Sequence, residues 1–201
     1  MFLKRMVVGQ IQSNCYILAE DPDALVVDPG AAADYILEKI KENNHELKWI
    51  INTHVHYDHI GANADLAKKT GCKIYIHKKD LAGITDADIN LSSWFGDLEY
   101  DYHVEALEEG PLKLGPLDLE IIHTPGHSAG SICILYNGYL FSGDTLFKSS
   151  IGRTDLPTSS YEDMVSSLKK IKRLNANLVV LPGHGEQTTL TEELAANPYL
   201  A

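Results

Sequence analysis

Three cysteines in 201 residues are too few and too scattered to brace a fold. Cys15, Cys72 and Cys133 are odd in number and lack the spacing of a zinc knuckle, so they read as buried, reduced thiols of a cytoplasmic protein. No apolar run approaches the ~20 residues that a membrane span needs. The start, Met1 to Gly9, carries charges but no following apolar segment and no small-residue cleavage site, so no secretion signal is expected. Positive charge is also scarce: 17 Lys and Arg stand against 28 Asp and Glu, a formal net charge of −11. That balance leaves no basic face for a phosphate backbone and argues against a nucleic-acid partner. There is no G-x-S-x-G run to present a serine nucleophile. With 44% apolar and 22% charged residues the composition is otherwise that of an ordinary globular chain, expected to form a single domain over residues 1–201.

What the chain has is a dense cluster, Thr53-His54-Val55-His56-Tyr57-Asp58-His59. Imidazoles and carboxylates are good ligands for a borderline divalent ion. A lone histidine is more often a surface or satisfied core residue. Four potential ligands in six consecutive positions, three histidines and an aspartate, are costly to pack unless a cation satisfies them. The run before the cluster, Leu47 to Asn52, reads as a strand, and Gly61 to Thr70 as a helix ending at Gly71. On extended chain His54 and His56 point the same way, while Asp58 and His59 lie past the bend. The arrangement offers two pairs of ligands to two adjacent ions.

Strands are expected at 6–8, 13–19 and 24–27, then a helix from Ala32 to Asn43 with Ile36, Leu37 and Ile40 at helical spacing. Asp28-Pro29-Gly30 ends the third strand, where Asp28 is either a turn residue or a partner behind a metal-bound histidine. Lys73 to His77 is a further strand. Residues 78–103 have no strong period and read as a disordered loop or a lid. Within them Trp94 and Phe95 either wall a substrate pocket or anchor the loop. Strands follow at 112–114, 117–122, 131–136 and 139–142, the last two joined by an Asn137-Gly138 hairpin turn. A helix from Tyr161 to Leu174, a buried strand Leu178 to Leu181 and a short helix from about Thr191 complete the chain. Strand ends repeatedly carry His or Asp beside glycine: His127, Asp144 and His184 join the first cluster. His45, His77, His103 and His123 have no partner spacing.

These motifs, in this order, resemble the metallo-β-lactamase superfamily: Asp28-Pro29-Gly30, the cluster from Thr53 to His59, Pro125-Gly126-His127, Ser142-Gly143-Asp144-Thr145 and Pro182-Gly183-His184-Gly185. The resemblance implies an α/β fold, a four-layer αββα sandwich of two similar halves with the site at one edge of the sheets. Within the superfamily the likeness runs to the glyoxalase II group, the hydroxyacylglutathione hydrolases. It implies that His54, His56 and His127 hold one metal, that Asp58, His59 and His184 hold a second, and that Asp144 bridges them. Full-length glyoxalase II has an extra helical domain that helps bind glutathione, whereas 17 residues follow His184 here. The chain looks like the short bacterial branch, which it also resembles in Ser150 to Pro157 and Asn197 to Leu200. Arg153 stands where that group places a basic residue against the glutathione carboxylate. Asp155 stands near the place of a tyrosine, so Arg153 either meets substrate or pairs with Asp155.

The expected activity is hydrolysis of a small-molecule thioester, S-lactoylglutathione or a related acyl-thiol, with two divalent ions, zinc expected and iron or manganese as alternatives. Two such ions lower the pKa of a shared water towards ~7, supplying hydroxide at neutral pH. Asp58, as a ligand, also has an oxygen free to orient it. The rivals are a mononuclear-iron persulfide dioxygenase of the same fold, which has a related Gly-Arg-Thr-Asp stretch, and a lactone hydrolase. A purely structural metal protein is disfavoured, because structural zinc sites are closed.

Overall fold

The computed structural model describes residues 1–96 and 98–200. Its first half runs β1 (Phe2–Val8), β2 (Ser13–Glu20), β3 (Asp23–Val27), α1 (Ala33–Glu42), β4 (Glu46–Ile51), α2 (Tyr57–Ile60), α3 (Asn63–Thr70) and β5 (Lys73–His77). A 3-10 segment (Lys78–Thr85), α3's successor α4 (Ser92–Phe95) and β6 (Val104–Leu107) follow. The second half runs β7 (Gly110–Leu114), β8 (Leu117–His123), β9 (Ile132–Tyr136), β10 (Tyr139–Gly143), β11 (Leu146–Phe147), β12 (Ser150–Ile151), α5 (Tyr161–Ile171), β13 (Val179–Pro182), β14 (Thr188–Thr189) and α6 (Leu190–Ala196).

Two six-stranded sheets result, in the orders β1-β2-β3-β4-β5-β6 and β14-β13-β10-β9-β8-β7. In the first, β3 to β6 run parallel, and in the second β10 pairs parallel with β13. Strand alternation sorts the side chains into layers. Tyr16, Leu18, Leu25 and Val27 pack against Leu119, Ile121, Ile134 and Phe141 between the sheets. Cys15, Ile17 and Val26 face outward onto Ile36 and Ile40 of α1 and Leu66 of α3. On the far side Cys133, Leu140 and Val180 meet Met164, Leu168 and Ile171 of α5. Strands covered on both faces need apolar residues at nearly every position, which is why β2 and β3 read as continuous apolar runs. The order of layers is helix, sheet, sheet, helix, as the resemblance implies.

Local signals mostly acted as expected. Asn137 and Gly138 both take positive φ, 44° and 85°, which a two-residue hairpin turn requires. Ser160 caps α5 by accepting from the Asp163 N–H, and Thr189 with Glu192 forms a capping box on α6. Several expectations are corrected. The first strand begins at Phe2, because an edge strand tolerates Lys4 and Arg5 on its open side. The helix expected over 61–70 is α3, beginning at Asn63, and an unexpected one-turn helix, α2, precedes it and carries Asp58 and His59. Residues 78–103 are partly helical, and β6 follows them. Cys72 is half-buried, while Cys15 and Cys133 are buried; burial pushes the Cys133 thiol up to about 11, leaving it unreactive at neutral pH. No helix among the described residues is long and apolar enough to cross a membrane.

The two sheets meet at a polar seam. The Asn14 N–H donates to Gly183 O at 2.7 Å, its side-chain amide donates to Pro182 O at 2.8 Å, and the Tyr16 hydroxyl donates to the same carbonyl at 2.7 Å. The Ile132 N–H donates to Thr53 O at 2.9 Å. These bonds tie β2 to the end of β13, and the end of β4 to the start of β9, around the place where the histidines emerge.

Candidate metal centre

Seven donors gather just past the carboxyl ends of β4, β8, β10 and β13. The structure brings together every residue that the sequence marked as a metal ligand. One ligand atom each from His54, His56 and His127 lies within 4.8 Å of the others, and the same holds for Asp58, His59 and His184. Asp144 sits between the sets: its carboxylate oxygens are 3.5 Å from His127 Nε2, 3.6 Å from His59 Nε2 and 3.7 Å from His184 Nε2.

The donor set fits a pair of cations. His54 Nε2 and Asp144 Oδ1 are buried and have no hydrogen-bonding partner among the described residues, and His56 Nδ1 faces His127 Nε2 at 2.9 Å, nitrogen against nitrogen. An unmet buried polar atom costs roughly 1–3 kcal/mol, so several at one point call for a cation. Neighbours also fix which imidazole nitrogen is free. Thr53 Oγ1 donates its proton to Asp28 Oδ2 at 2.7 Å, so towards His54 Nδ1, 3.1 Å away, it accepts. That leaves the His54 Nε2 lone pair facing the site. Likewise His127 Nδ1–H donates to Arg153 O at 2.9 Å, leaving Nε2 as the ligand atom.

Asp28 is the partner behind the histidines rather than a plain turn residue. It accepts from the Thr53 N–H at 2.7 Å, and its Oδ2 lies 3.1 Å from His59 Nδ1. Its φ of 53° is left-handed, a conformation aspartate tolerates, and the following Gly30 lets this turn touch α2. A Cβ on Gly30 would come within 1.6 Å of Asp58 O.

One supporting residue was not legible in the sequence. Asp80, from the 3-10 segment, is buried and accepts from Val55 N–H (3.1 Å), Ser128 Oγ (2.7 Å) and Gly130 N–H (2.6 Å). It therefore ties the loop carrying His54 and His56 to the loop carrying His127. An isolated aspartate after two lysines gives no pattern that would mark it. Of the histidines without assigned role, His77 and His123 stack at 4.0 Å across the two sheets, and His45 lies 3.0 Å from Asp21.

The two sets differ electrically. Burial drives His54 and His56 well below the ordinary imidazole value, so both are neutral at neutral pH. Burial alone would lower His59 and His184 too. The carboxylates of Asp58, Asp28 and Asp144 outweigh it at His59, and bonding to Asp58 with the charge of Asp144 outweighs it at His184, so both rise. Burial would raise Asp58, but the His59 charge and the bonds from His184 and His59 hold it well below the carboxylate range. A metal ion must displace protons from His59 and His184 but none from His54 or His56. Affinity at the Asp58/His59/His184 position should thus fall first as the pH is lowered through the range in which these imidazoles take up protons. Metal content followed by dialysis across that range checks this; simultaneous loss of both ions would count against it.

Above the donors lies a cleft of about 400 Å³ lined by Asp58, His127, Asp144 and His184 together with Trp94, Phe95 and Arg153. Two grooves of about 500 Å³ elsewhere, against α1 and α3, contain none of the donors. Arg153 reaches the cleft wall, with its guanidinium forked onto Asp155 at 2.7 and 2.9 Å.

Known proteins agree with this geometry. The family description "Metallo-beta-lactamase superfamily" matches residues 8–184. The chain is 37% identical to the probable metallo-hydrolase YqgX of Bacillus subtilis, across 98% of this chain and 96% of that one. It is 33% identical to hydroxyacylglutathione hydrolase GloC of Haemophilus influenzae, across 100% and 98%. Among solved structures, BLEG-1 B3 metallo-beta-lactamase superposes with a TM-score of 0.95 at 34% identity, covering 100% of both chains. TTHA1623 in a di-iron-bound form superposes with a TM-score of 0.90 at 32% identity, covering 98% of this chain and 100% of that one. With five motifs converging on one edge of the sheets and nearly the whole length matched, the chain belongs to the metallo-β-lactamase superfamily.

Proposed function

We propose that the chain is a dinuclear-metal hydrolase of thioesters, acting on S-lactoylglutathione or a related acyl-thiol. The observation that carries this reading is Asp144 lying between two complete donor sets. His54, His56 and His127 would hold one ion, Asp58, His59 and His184 the other, with Asp144 shared. Zinc suits imidazole and carboxylate donors, and the di-iron relative makes iron the alternative. When bound, such ions polarise a carbonyl and lower the pKa of water towards ~7.

The chain's own residues do the rest. Asp58 lines the cleft and stays ionised, so it orients a water by accepting a hydrogen bond. The water oxygen adds to the thioester carbonyl carbon and the C–S bond breaks. The sulfur leaves with the C–S electron pair and takes one proton of the water to become the thiol, and the other is released as the acid product ionises to a carboxylate. A thiol with pKa near ~8.5 is a good leaving group and needs little acid assistance. Thr53, Asp28 and Asp80 hold the imidazoles in place, so little reorganisation accompanies the reaction.

A thioester panel assayed alongside metal analysis of the same sample tests this reading. Chelator-sensitive turnover with close to two ions per chain is expected. One ion with oxygen uptake on a persulfide would replace it with the dioxygenase reading. His184→Ala should remove the second ion and lower turnover by ~10²-fold or more while the protein stays folded, since His184 is partly exposed on a loop. Near-normal rates in that variant would show the second set to be dispensable.

A further inference from the structure

The cleft's outer wall is apolar: Ile11, Leu91, Trp94, Phe95, Phe147 and Leu156 surround the approach to the donors. Three of them are conspicuously exposed, Trp94 at 60%, Phe95 at 46% and Ile11 at 37%. Large apolar side chains grouped around a cleft mark a place where something apolar binds. They are also built in. Phe95 stacks flat on Tyr57 at 5.2 Å, and Tyr57 is the neighbour of Asp58. Leu91 turns the chain into α4 with a φ of 66°, a left-handed conformation unfavourable for leucine. The strained turn brings Trp94 and Phe95 to the cleft beside the metal donors.

Among the described residues lining the wall, Arg153 is the one cation, and both forks of that side chain are on Asp155. Lys148, next to Phe147, bonds to Glu186 at 2.6 Å. Arg5 donates to Gly185 O at 3.1 Å, beside His184. A thiol bearing carboxylates would have to break the Arg153–Asp155 fork and face Asp155 itself.

We propose that the cleft selects acyl-thiols whose arm is an apolar chain or ring, lodged among Trp94, Phe95, Phe147 and Leu156, over thiols read through carboxylates. This rests on the hydrolase reading for the reaction but not for the binding preference, and within that reading it favours the related acyl-thiol over S-lactoylglutathione, whose thiol carries carboxylates. Arg153 then contributes its stem and a neutralised head to the wall.

The test uses metal-loaded protein and uncleavable S-(2-oxopropyl) thioethers, in which the ketone replaces the acyl group and the thiol arm is S-methyl, S-hexyl or a carboxylate-tipped S-hexyl group, measured by calorimetry. S-hexyl should bind at least about tenfold tighter than S-methyl, because several methylenes leave water. Trp94→Ala and Phe95→Ala, made separately, should each bring that ratio towards one. Equal affinities, or tighter binding of the carboxylate analogue that is lost in Arg153→Ala, would overturn the inference. The matching thioesters are assayed in parallel. A hexyl preference without turnover of any thioester would remove the hydrolase reading and leave the apolar preference standing. Turnover without a hexyl preference would do the reverse.

Discussion

Asp144→Ala is expected to empty both metal positions at once and to lower turnover by ~10³-fold or more. His54 and His59 also approach one another across the two sets, but Asp144 is the carboxylate that reaches His127 on one side and His59 and His184 on the other. Its charge matters as much as its oxygens, since two divalent ions a few ångströms apart repel and a shared anion screens them. Asp144→Asn keeps the shape and removes the charge, so it should fall between wild type and Asp144→Ala in metal content. The fold should survive, because the residue lies in a loop after β10 and contributes no core contact. Elemental analysis after dialysis reads the result directly. One ion in wild type, unchanged in Asp144→Ala, would defeat the dinuclear assignment.

Asp80→Ala should be the most damaging change away from the donors. It strands the Val55 and Gly130 N–H groups in a buried place, at roughly 1–3 kcal/mol for each unmet group, while the Ser128 hydroxyl keeps Ser131 Oγ as a partner. A loss of about 3 kcal/mol or more should lower Tm by about 6–12 °C in a chain of this size. Stability alone would not prove a positioning role. The cobalt(II) spectrum and affinity, taken well below the variant's Tm, separate the two. Val55 lies between His54 and His56, and Ser128 follows His127, so slack there should weaken the three-histidine position specifically. Asp80→Asn keeps one acceptor oxygen and should recover part of both losses. A variant with a normal cobalt spectrum and only a lower Tm would make Asp80 a structural strut.

The ligands were legible because their chemistry is dense in sequence: four of them fall between His54 and His59, and the others sit beside glycines at strand ends. The buried strands were legible for a related reason, since apolar runs of that length have few other uses. What escaped was whatever depends on long-range pairing. Val104–Leu107 buries one residue firmly, Leu107, and as an edge strand has a single neighbour, so Val-Glu-Ala-Leu carries no strong pattern. Thr188–Thr189 is too short to show any period. Asp28 was legible as one of two alternatives, and only the approach of His59 from α2 decided between them. Arg153 was similarly poised between a substrate and Asp155; its fork on Asp155 is a two-residue contact that sequence offered but did not select. Asp80 had no signal at all, because its partners are two main-chain N–H groups and a serine hydroxyl 25, 50 and 48 positions away.

The seam between the sheets changes what metal loss means for this chain. His54, His56, Asp58 and His59 come from one half, and His127, Asp144 and His184 from the other. Bound ions would therefore act as rivets between the halves, reinforcing the bonds from Asn14 and Tyr16 to Pro182. Binding to the folded state alone adds about 1.4 kcal/mol of stability per ion for each tenfold rise in free metal above Kd. The melting temperature becomes a gauge of ambient metal. Starvation would first loosen the contact between the two sheets, the face along which such a chain would come apart.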